Sequence, residues 1–177
     1  MLKKLNNLDL YKKGLFFLSL GGIGEIGANC YLYGCDGKWI MIDLGISFAD
    51  EKHPGIDILV PKIDFIEEIQ DDLVAIIISH GHEDHAGAVA FFADKINCPV
   101  YATSFAKLLI ENRLKEFGKL ENIKLIELNT KKNLKLDNFN IEFFETTHSI
   151  PEPNAIVLNT SYGKLLHTAD WKIDISP

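Results

Sequence analysis

The 177-residue sequence has few cysteines, no long apolar run and no excess of positive charge. Its three cysteines, Cys30, Cys35 and Cys98, lack the spacing of a zinc ribbon or finger, which favours reduced thiols and a cytoplasmic location. No apolar stretch reaches the roughly 18 residues of a membrane-spanning helix, so no membrane association is expected. The net charge of −7 provides no long-range attraction for nucleic acid, although bound cations or further domains can reverse the local field.

The remaining composition is that of one soluble globular domain. Hydrophobic residues make up 47% and charged residues 24% of the chain, which is sufficient for a substantial core. Residues 1–13 are polar and are predicted to form an N-terminal arm, whereas residues 14–177 are predicted to fold. The lysines of the arm and the apolar segment after them imitate a secretory signal, but that segment is short and Glu25 interrupts the approach to Cys30.

Hydrophobic and turn patterns predict strands alternating with a few helices. Helices are predicted at 64–69, 86–96 and 104–118, the last with Ser104 as N-cap and Gly118 as its end. The segment 46–57 is predicted to be a loop, and Asp36-Gly37 a hairpin turn. Strands are predicted at 15–20, 29–34, 38–43, 73–79, 99–103, 123–128, 139–147, 155–160 and 164–170. This pattern indicates an α/β fold in which helices cover a sheet.

Potential metal ligands follow three of the predicted strands. The sequence HGHEDH (80–85) comes directly after the buried strand at 73–79, His148 follows the strand at 139–147, and Asp170 ends the strand at 164–170. Strand ends can meet at one edge of a sheet, so a site there requires this placement. Imidazole and carboxylate ligands together suit zinc, and also manganese or another first-row metal. The sequence therefore predicts a metal site.

The pattern H-x-H-x-D-H, followed by His148 and Asp170 and preceded by Asp43 in IDLG, resembles the metallo-β-lactamase superfamily. The segments GGIGEIGANCYLY, IDLGISF, PGIDILVPKIDFI, CPVYAT, THSIPEP and HTADWKID resemble, more narrowly, the ribonuclease J family of its β-CASP branch. The resemblance implies an αββα sandwich, of which residues 14–177 would be the N-terminal part. The β-CASP insert and the C-terminal part of the fold are not in this sequence.

The resemblance also implies two divalent ions, with zinc expected and manganese or magnesium as alternatives. One ion would be bound by His80, His82 and His148. The second would be bound by Asp84, His85 and a bridging Asp170. Asp43 would orient these ligands through hydrogen bonds. Asp84 and His148 would be the catalytic residues, and Asp84 would orient a metal-activated hydroxide and accept a proton.

The activity that the resemblance implies is hydrolysis of RNA phosphodiesters, both 5′–3′ exonucleolytic and endonucleolytic. The alternatives are another hydrolase of the superfamily, acting on a thioester or a lactam, and a non-catalytic metal-binding or assembly module. The family's later segments supply a further ligand to the second ion and one wall of the substrate groove. Without them we expect a weakened second site, little activity of this chain alone, and an exposed apolar sheet face that favours a homo-oligomer.

Three further features allow more than one interpretation. Residues Gly22 to Gly27 match the dinucleotide pattern G-x-G-x-x-G, with Asp43 further on, but the helix that should follow is replaced by a predicted hairpin. The same glycines would otherwise form a loop beside the metals. His167 is interpreted as a buried strand histidine, with a role in orienting ligands as the alternative. Ala169 stands where the resembled family usually has glycine.

Overall fold

The structure is a computed structural model that describes residues 12–174, so most of the predicted arm (1–13) lies outside the described residues. The α-helices are α1 (Asp64–Glu68), α2 (Glu83–Ala86) and α3 (Ser104–Glu116). The strands are β1 (Leu15–Gly21), β2 (Cys30–Cys35), β3 (Lys38–Ile42), β4 (Ser47–Phe48), β5 (Ile58–Leu59), β6 (Leu73–Ile77), β7 (Val100–Ala102), β8 (Leu125–Glu127), β9 (Leu134–Leu136), β10 (Phe139–Glu145), β11 (Asn154–Thr160) and β12 (Gly163–His167).

Two sheets form the framework of the domain. The larger has six strands in the order β1-β2-β3-β6-β7-β8, and the smaller has four in the order β12-β11-β10-β9. Strands β1 to β3 are antiparallel neighbours, whereas β3, β6, β7 and β8 run parallel. The smaller sheet is antiparallel throughout. The parallel strands place their carboxyl ends at the same edge of the larger sheet, where the ligand-type residues follow.

The hairpin between β2 and β3 forms as the sequence predicts. Asp36 and Gly37 both have positive φ angles, 47° and 81°, which is the backbone of the tight turns that match strand twist. The side chains of β3 then alternate between the two faces of the sheet. Trp39 and Met41 pack on one side, and Ile40 and Ile42 pack on the other. The central strand is therefore buried on both faces.

Each face of the larger sheet contributes to a separate hydrophobic core. On one face all three helices pack, and α3 contributes Ala106, Ile110 and Leu114. On the other face lies the smaller sheet, and the two sheets bury nine side chains between them: Tyr33, Cys35, Ile40, Ile42, Ile77, Phe139, Ile141, Ile156 and Leu158. The described residues thus form three layers of the expected αββα sandwich.

The outer face of the smaller sheet has no helix on it among residues 12–174. Alternation along β10 and β12 places Phe144 and Leu166 on this face, with 51% and 63% of their surfaces exposed. The register places Val157 of β11 beside Leu166 and Ala155 of β11 beside Phe144. Separately, no helix in the described part of the chain is long and apolar enough to cross a membrane.

The predicted helix at 86–96 is wrong. Only Glu83–Ala86 is α-helical, and turns lead from it to a short 3₁₀ helix at Ala93–Lys95. The loop after β3 interrupts the helix, because Leu44 N–H donates to the His85 carbonyl and Ala88 N–H donates to the Leu44 carbonyl. Helix continuation would need the His85 carbonyl as an acceptor for Val89 N–H. The same contacts hold His85 close to β3.

Smaller differences concern a helix cap and three short strands. Helix α3 begins at Ser104, so its N-cap is Thr103 and not Ser104 as predicted. The predicted loop at 46–57 contains β4, which pairs with β5, and the unpredicted β9 pairs with β10. The remaining predicted strands and helices are confirmed to within a few residues at their ends.

Candidate metal centre

The predicted ligand residues come together at one edge of the sandwich, where two strands of each sheet end. Asp43 follows β3, the segment 79–85 follows β6, His148 follows β10, and Asp170 follows β12. The strands that carry these segments belong to both sheets, so the packing of the two sheets determines the geometry. Residues separated by 127 positions, Asp43 and Asp170, both contact His85.

Three histidines direct ring nitrogens at a common point. His82 Nδ1 lies 3.1 Å from His80 Nε2 and 3.1 Å from His148 Nε2. In a tetrahedral zinc site, Zn–N bonds of about 2.0–2.1 Å place neighbouring ligand nitrogens roughly 3.3 Å apart. The spacing of these three nitrogens therefore suits a single tetrahedral cation, with a fourth position left for another ligand.

A second group of ligand atoms adjoins the first. His80, His85 and Asp170 have ligand atoms within 4.8 Å of one another. Asp170 Oδ1 lies 3.5 Å from His85 Nε2, and its Oδ2 lies 3.6 Å from His148 Nε2. The two oxygens of Asp170 thus face different histidine groups, which is the placement that a bridging carboxylate requires. Asp84 Oδ2 is 3.6 Å from His85 Nε2 and borders the same space.

Asp43 is fully buried and connects two of the histidines through hydrogen bonds. Its Oδ2 accepts a bond of 2.7 Å from His85 Nδ1 and one of 2.9 Å from the Ser79 hydroxyl. Its Oδ1 accepts the Ser79 N–H at 2.8 Å. The Ser79 hydroxyl is also 2.9 Å from His80 Nδ1. Because the Nδ1 atoms of His80 and His85 are occupied in this way, their Nε2 atoms face the centre.

The electrostatics of the centre keep His80 neutral and make His85 strongly basic. Burial and the neighbouring charge of His85 lower the pKa of His80 to about 3, so its Nε2 lone pair is available at neutral pH. Burial alone would lower the pKa of His85, but the Asp43 charge and the hydrogen bonds that His85 donates to Asp170 and Asp43 raise it to about 10. The hydrogen bond from His85 lowers the pKa of Asp170 to about 2. The carboxylates of Asp43 and Asp170 are thus both ionised.

This donor set fits a divalent cation. Four imidazoles and two carboxylates lie around one space, and neutral imidazole and ionised carboxylate are the forms that bind metals. Without a cation, the buried proton of His85 balances the negative charge of Asp43. A bound ion would take over that role at the Nε2 side.

Two residues of the centre were not identified from the sequence. Ser79 links Asp43 to His80, and Asn29 Nδ2 lies 3.0 Å from the Asp84 carbonyl and 3.1 Å from His85 Nε2. Tyr31 in turn donates to Asn29 Oδ1 at 2.8 Å. The position of Ser79 directly before HGHEDH was a usable signal. Asn29 gave none, because its contact spans 55 positions along the chain.

The glycine loop at 22–27 and His167, which each allowed two interpretations, have defined positions in the structure. The glycine loop leads into β2, which pairs antiparallel with β3, so the predicted hairpin is confirmed and the helix of a dinucleotide site is replaced by a strand. Asn29 connects the end of this loop to the metal-ligand cluster. His167 is buried in β12, with Nδ1 3.0 Å from the Tyr33 hydroxyl and Nε2 4.0 Å from Asp43 Oδ2.

The layered α/β architecture and the histidine–aspartate cluster together define a metallohydrolase-type domain. The chain belongs to the metallo-beta-lactamase superfamily, whose family model matches residues 23–171. A protein of unknown function from Enterococcus faecalis V583 has a similar structure, with a TM-score of 0.67 at 19% identity, covering 89% of this chain and 44% of that one. The metallo-beta-lactamase fold protein YhfI from Bacillus subtilis has a TM-score of 0.59 at 17% identity, covering 87% and 61%.

Among curated proteins, the chain is similar to ribonucleases J, as its motifs predict. It is 38% identical over 173 residues to Ribonuclease J 1 of Streptococcus pyogenes serotype M3, which is 98% of this chain and 31% of that protein. It is 40% identical over 167 residues to Ribonuclease J of Sinorhizobium meliloti, covering 92% and 30% respectively. The chain therefore spans about a third of the length of the curated relatives it matches.

Proposed function

We propose that this domain carries the metal centre of a ribonuclease that hydrolyses RNA phosphodiester bonds. The observation that carries the proposal is the convergence of His80, His82 and His148 with the carboxylate of Asp170. This cluster lies in a chain that is 35–40% identical to ribonucleases J over nearly its whole length. The similarity favours RNA over a thioester or a lactam as the substrate.

We assign the residues to two ions that share Asp170. His80, His82 and His148 would hold one ion through the ring nitrogens that face each other. His85 and Asp84 would hold the second, and zinc is the expected element, with manganese or magnesium as alternatives. Asp43 would orient His85 directly and His80 through Ser79. The second site offers fewer strong ligands, so its ion is expected to bind more weakly.

The bound ions would supply a hydroxide at neutral pH and would neutralise charge on the phosphoryl oxygens. The residues of the chain orient the reaction. Asp84 borders the space beside His85 with a half-buried carboxylate, so it is placed to hold the attacking group and accept its proton. His148 Nε2 lies 3.6 Å from Asp170 Oδ2, so His148 would hold the first ion beside the shared carboxylate.

The acidic balance of the chain is compatible with an RNA substrate. Five of the ligand residues cluster at one edge with Asp84 beside His85, and two cations there would reverse the sign of the local field. The RNA backbone would then meet positive charge first. Basic side chains that extend this attraction are expected in the additional length of the relatives, so RNA binding by this chain alone is expected to be weak.

The function is tested with a chimera in which these 177 residues replace the matching segment of the Sinorhizobium meliloti relative. Hydrolysis of a 5′-monophosphorylated RNA is measured beside hydrolysis of a thioester and a β-lactam. We expect metal-dependent RNA cleavage that chelators abolish and that His82→Ala lowers at least 100-fold, in the range of lost catalytic groups. The His53→Ala variant is the control, because His53 lies in an exposed loop.

Three results would contradict the proposal. Preferential cleavage of the thioester or lactam would assign the centre to another hydrolase of the superfamily. A chimera that folds and binds metal but cleaves nothing would favour a non-catalytic metal-binding or assembly module. RNA cleavage that persists in His82→Ala would show that the proposed cluster is not the active site.

A further inference from the structure

His148 is the one histidine of the three-histidine group that the smaller sheet carries. His80 and His82 follow β6 of the larger sheet, whereas His148 lies in the eight-residue connection 146–153 between β10 and β11 of the smaller sheet. Its ring nitrogen must still meet His82 Nδ1 at 3.1 Å. Some contact must therefore fix this connection relative to the rest of the centre.

Glu152, near the end of that connection, binds the N-terminus of α3. Its Oε2 accepts the N–H of Phe105 at 2.8 Å. The 13-residue helix α3 has no acidic residue in its own first turn, and the N-cap Thr103 makes no side-chain capping bond. The Thr103 hydroxyl is buried and has no hydrogen-bond partner among residues 12–174. The carboxylate of Glu152 thus performs the capping that helix N-termini usually obtain locally.

The backbone at Glu152 is held in an uncommon conformation. Its φ is +57°, a left-handed value, and it lies between Pro151 and Pro153. A non-glycine residue keeps such a conformation only where its surroundings determine it strongly. Here Asn154 Nδ2 donates to the Glu152 carbonyl at 2.8 Å, and Thr146 N–H donates to the Pro153 carbonyl at 3.0 Å. The end of the connection is therefore closely constrained.

The same connection also contacts the segment that carries the other two histidines. Asn154 N–H donates to the Ser79 carbonyl at 3.2 Å. The Cδ1 atom of Ile150 packs over Gly81, where a β-carbon would lie 3.5 Å from it. Thus His148 contacts His82, and Ile150 packs over Gly81. Glu152 binds the N-terminus of α3, and Asn154, the first residue of β11, binds Ser79. Of these contacts, the one made by Glu152 is the only charged contact to a helix.

We propose that Glu152 is a positioning residue for His148, and that it sets the affinity of the three-histidine site by fixing the connection 146–153 to α3. The inference rests on the proposed metal centre. Glu152 does not itself belong to the ligand cluster, because its carboxylate is engaged by Phe105 N–H. Its effect passes through the backbone of the connection to the His148 ring.

The experiment measures Co²⁺ and Zn²⁺ affinity of the full 177-residue chain by competition with a chelator. We expect Glu152→Ala to weaken binding about 10-fold, within the range for partners that orient metal ligands. Glu152→Gln keeps an oxygen acceptor for Phe105 N–H and should recover most of that loss. The control is Glu145→Ala, which removes the same charge from the same cleft but lies at the end of β10.

A double variant separates positioning from helix stability. Ser104 is exposed at the first position of α3, so Ser104→Asp restores a negative charge at the helix N-terminus without contact to the connection. In the Glu152→Ala background it should recover resistance to urea but not the Co²⁺ affinity. The absorption bands of bound Co²⁺ should also stay altered, because His148 remains displaced.

The possible outcomes distinguish failure of the proposed metal centre from failure of the role proposed for Glu152. A wild-type chain that binds no Co²⁺ would overturn the proposed metal centre and this inference with it. If wild type binds and Glu152→Ala binds equally well, only the role of Glu152 is overturned. The same holds if Glu145→Ala weakens binding as much as Glu152→Ala, or if the double variant recovers affinity together with stability.

Discussion

Replacing Asp43 separates the contribution of the buried hydrogen-bond network to folding from its contribution to metal binding. The carboxylate is fully buried and accepts three hydrogen bonds, from Ser79 N–H, the Ser79 hydroxyl and His85 Nδ1. Its backbone has a φ of +64°, which asparagine tolerates better than alanine does. Asp43→Asn is therefore the informative substitution, and Asp43→Ala is the severe one.

The expected free-energy changes follow from these contacts. Asp43→Ala breaks a buried charge pair, at about 3–5 kcal/mol, and places alanine at a left-handed φ for roughly 1–2 kcal/mol more. That sum approaches the whole stability of many domains, about 5–15 kcal/mol. In Asp43→Asn the amide oxygen still accepts from Ser79 N–H, so we expect a loss of about 2 kcal/mol, in line with weakened bonds to a charged group.

Asp43→Asn should impair metal binding more than it impairs folding. The asparagine Nδ2 group donates, so His85 Nδ1 must accept and the His85 proton moves to Nε2, the atom that faces the centre. We expect the affinity for the weaker ion, which His85 and Asp84 would hold, to fall about 10–100-fold. This is the usual loss when a partner that orients a metal ligand is removed. Chelator competition measures the affinity, and urea unfolding measures the stability.

Asp137→Asn is the matched control. Asp137 also has a positive φ, 43°, but it lies in the turn before β10, and it makes no contact in the metal cluster among the described residues. If Asp43→Asn binds both ions as tightly as wild type and this control, the orienting role of Asp43 is wrong.

Three further outcomes are expected. Ala169→Gly should increase the free energy of unfolding in urea by about 0.5–1 kcal/mol. Alanine at a φ of +48° is strained by about 1–2 kcal/mol, and the greater entropy of glycine in the unfolded chain offsets part of the relief. Equal or lower stability would contradict this. Burial raises the pKa of Cys30 and of Cys98 to about 12, so thiol reagents should label the native chain slowly and the urea-unfolded chain fast; rapid native labelling would refute it. The exposed Phe144–Leu166 patch should drive self-association, so sedimentation should show a homo-oligomer that Leu166→Glu dissociates, whereas a monomeric wild type would oppose the idea.

Local patterns were sufficient to predict most strands and the residue types at the centre. The hairpin turn at Asp36-Gly37 and the buried strand before His80 depend on neighbours in sequence, so they could be identified directly. The helix predicted at 86–96 does not form because of contacts with a segment that is distant in sequence. Its residues have helical propensity, but Leu44, more than 40 positions away, pairs with the backbone there. Tertiary hydrogen bonds override propensity at that point.

The residues that meet at the candidate centre could be named from the sequence, whereas their orientation could not. The pattern H-x-H-x-D-H identifies residue types, but which ring nitrogen faces the centre is decided by Ser79 and Asp43 on different strands. The role of Asn29 likewise arises only when the loop before β2 meets Asp84. Such contacts join segments that sequence spacing does not relate.

The two carboxylates at strand ends share a backbone feature that accounts for how a sheet edge becomes a metal centre. Strand β3 ends at Ile42 and Asp43 has a φ of +64°; β12 ends at His167 and Ala169, just before Asp170, has a φ of +48°. A left-handed residue turns the chain sharply out of the strand direction, so the side chains that follow are no longer bound to alternate faces of the sheet. Because glycine is absent at both positions, this geometry costs free energy that the buried hydrogen bonds of Asp43 and the contacts of Asp170 offset. The strain is therefore located where it directs two carboxylates toward His85, which is the arrangement that a cation at this edge requires.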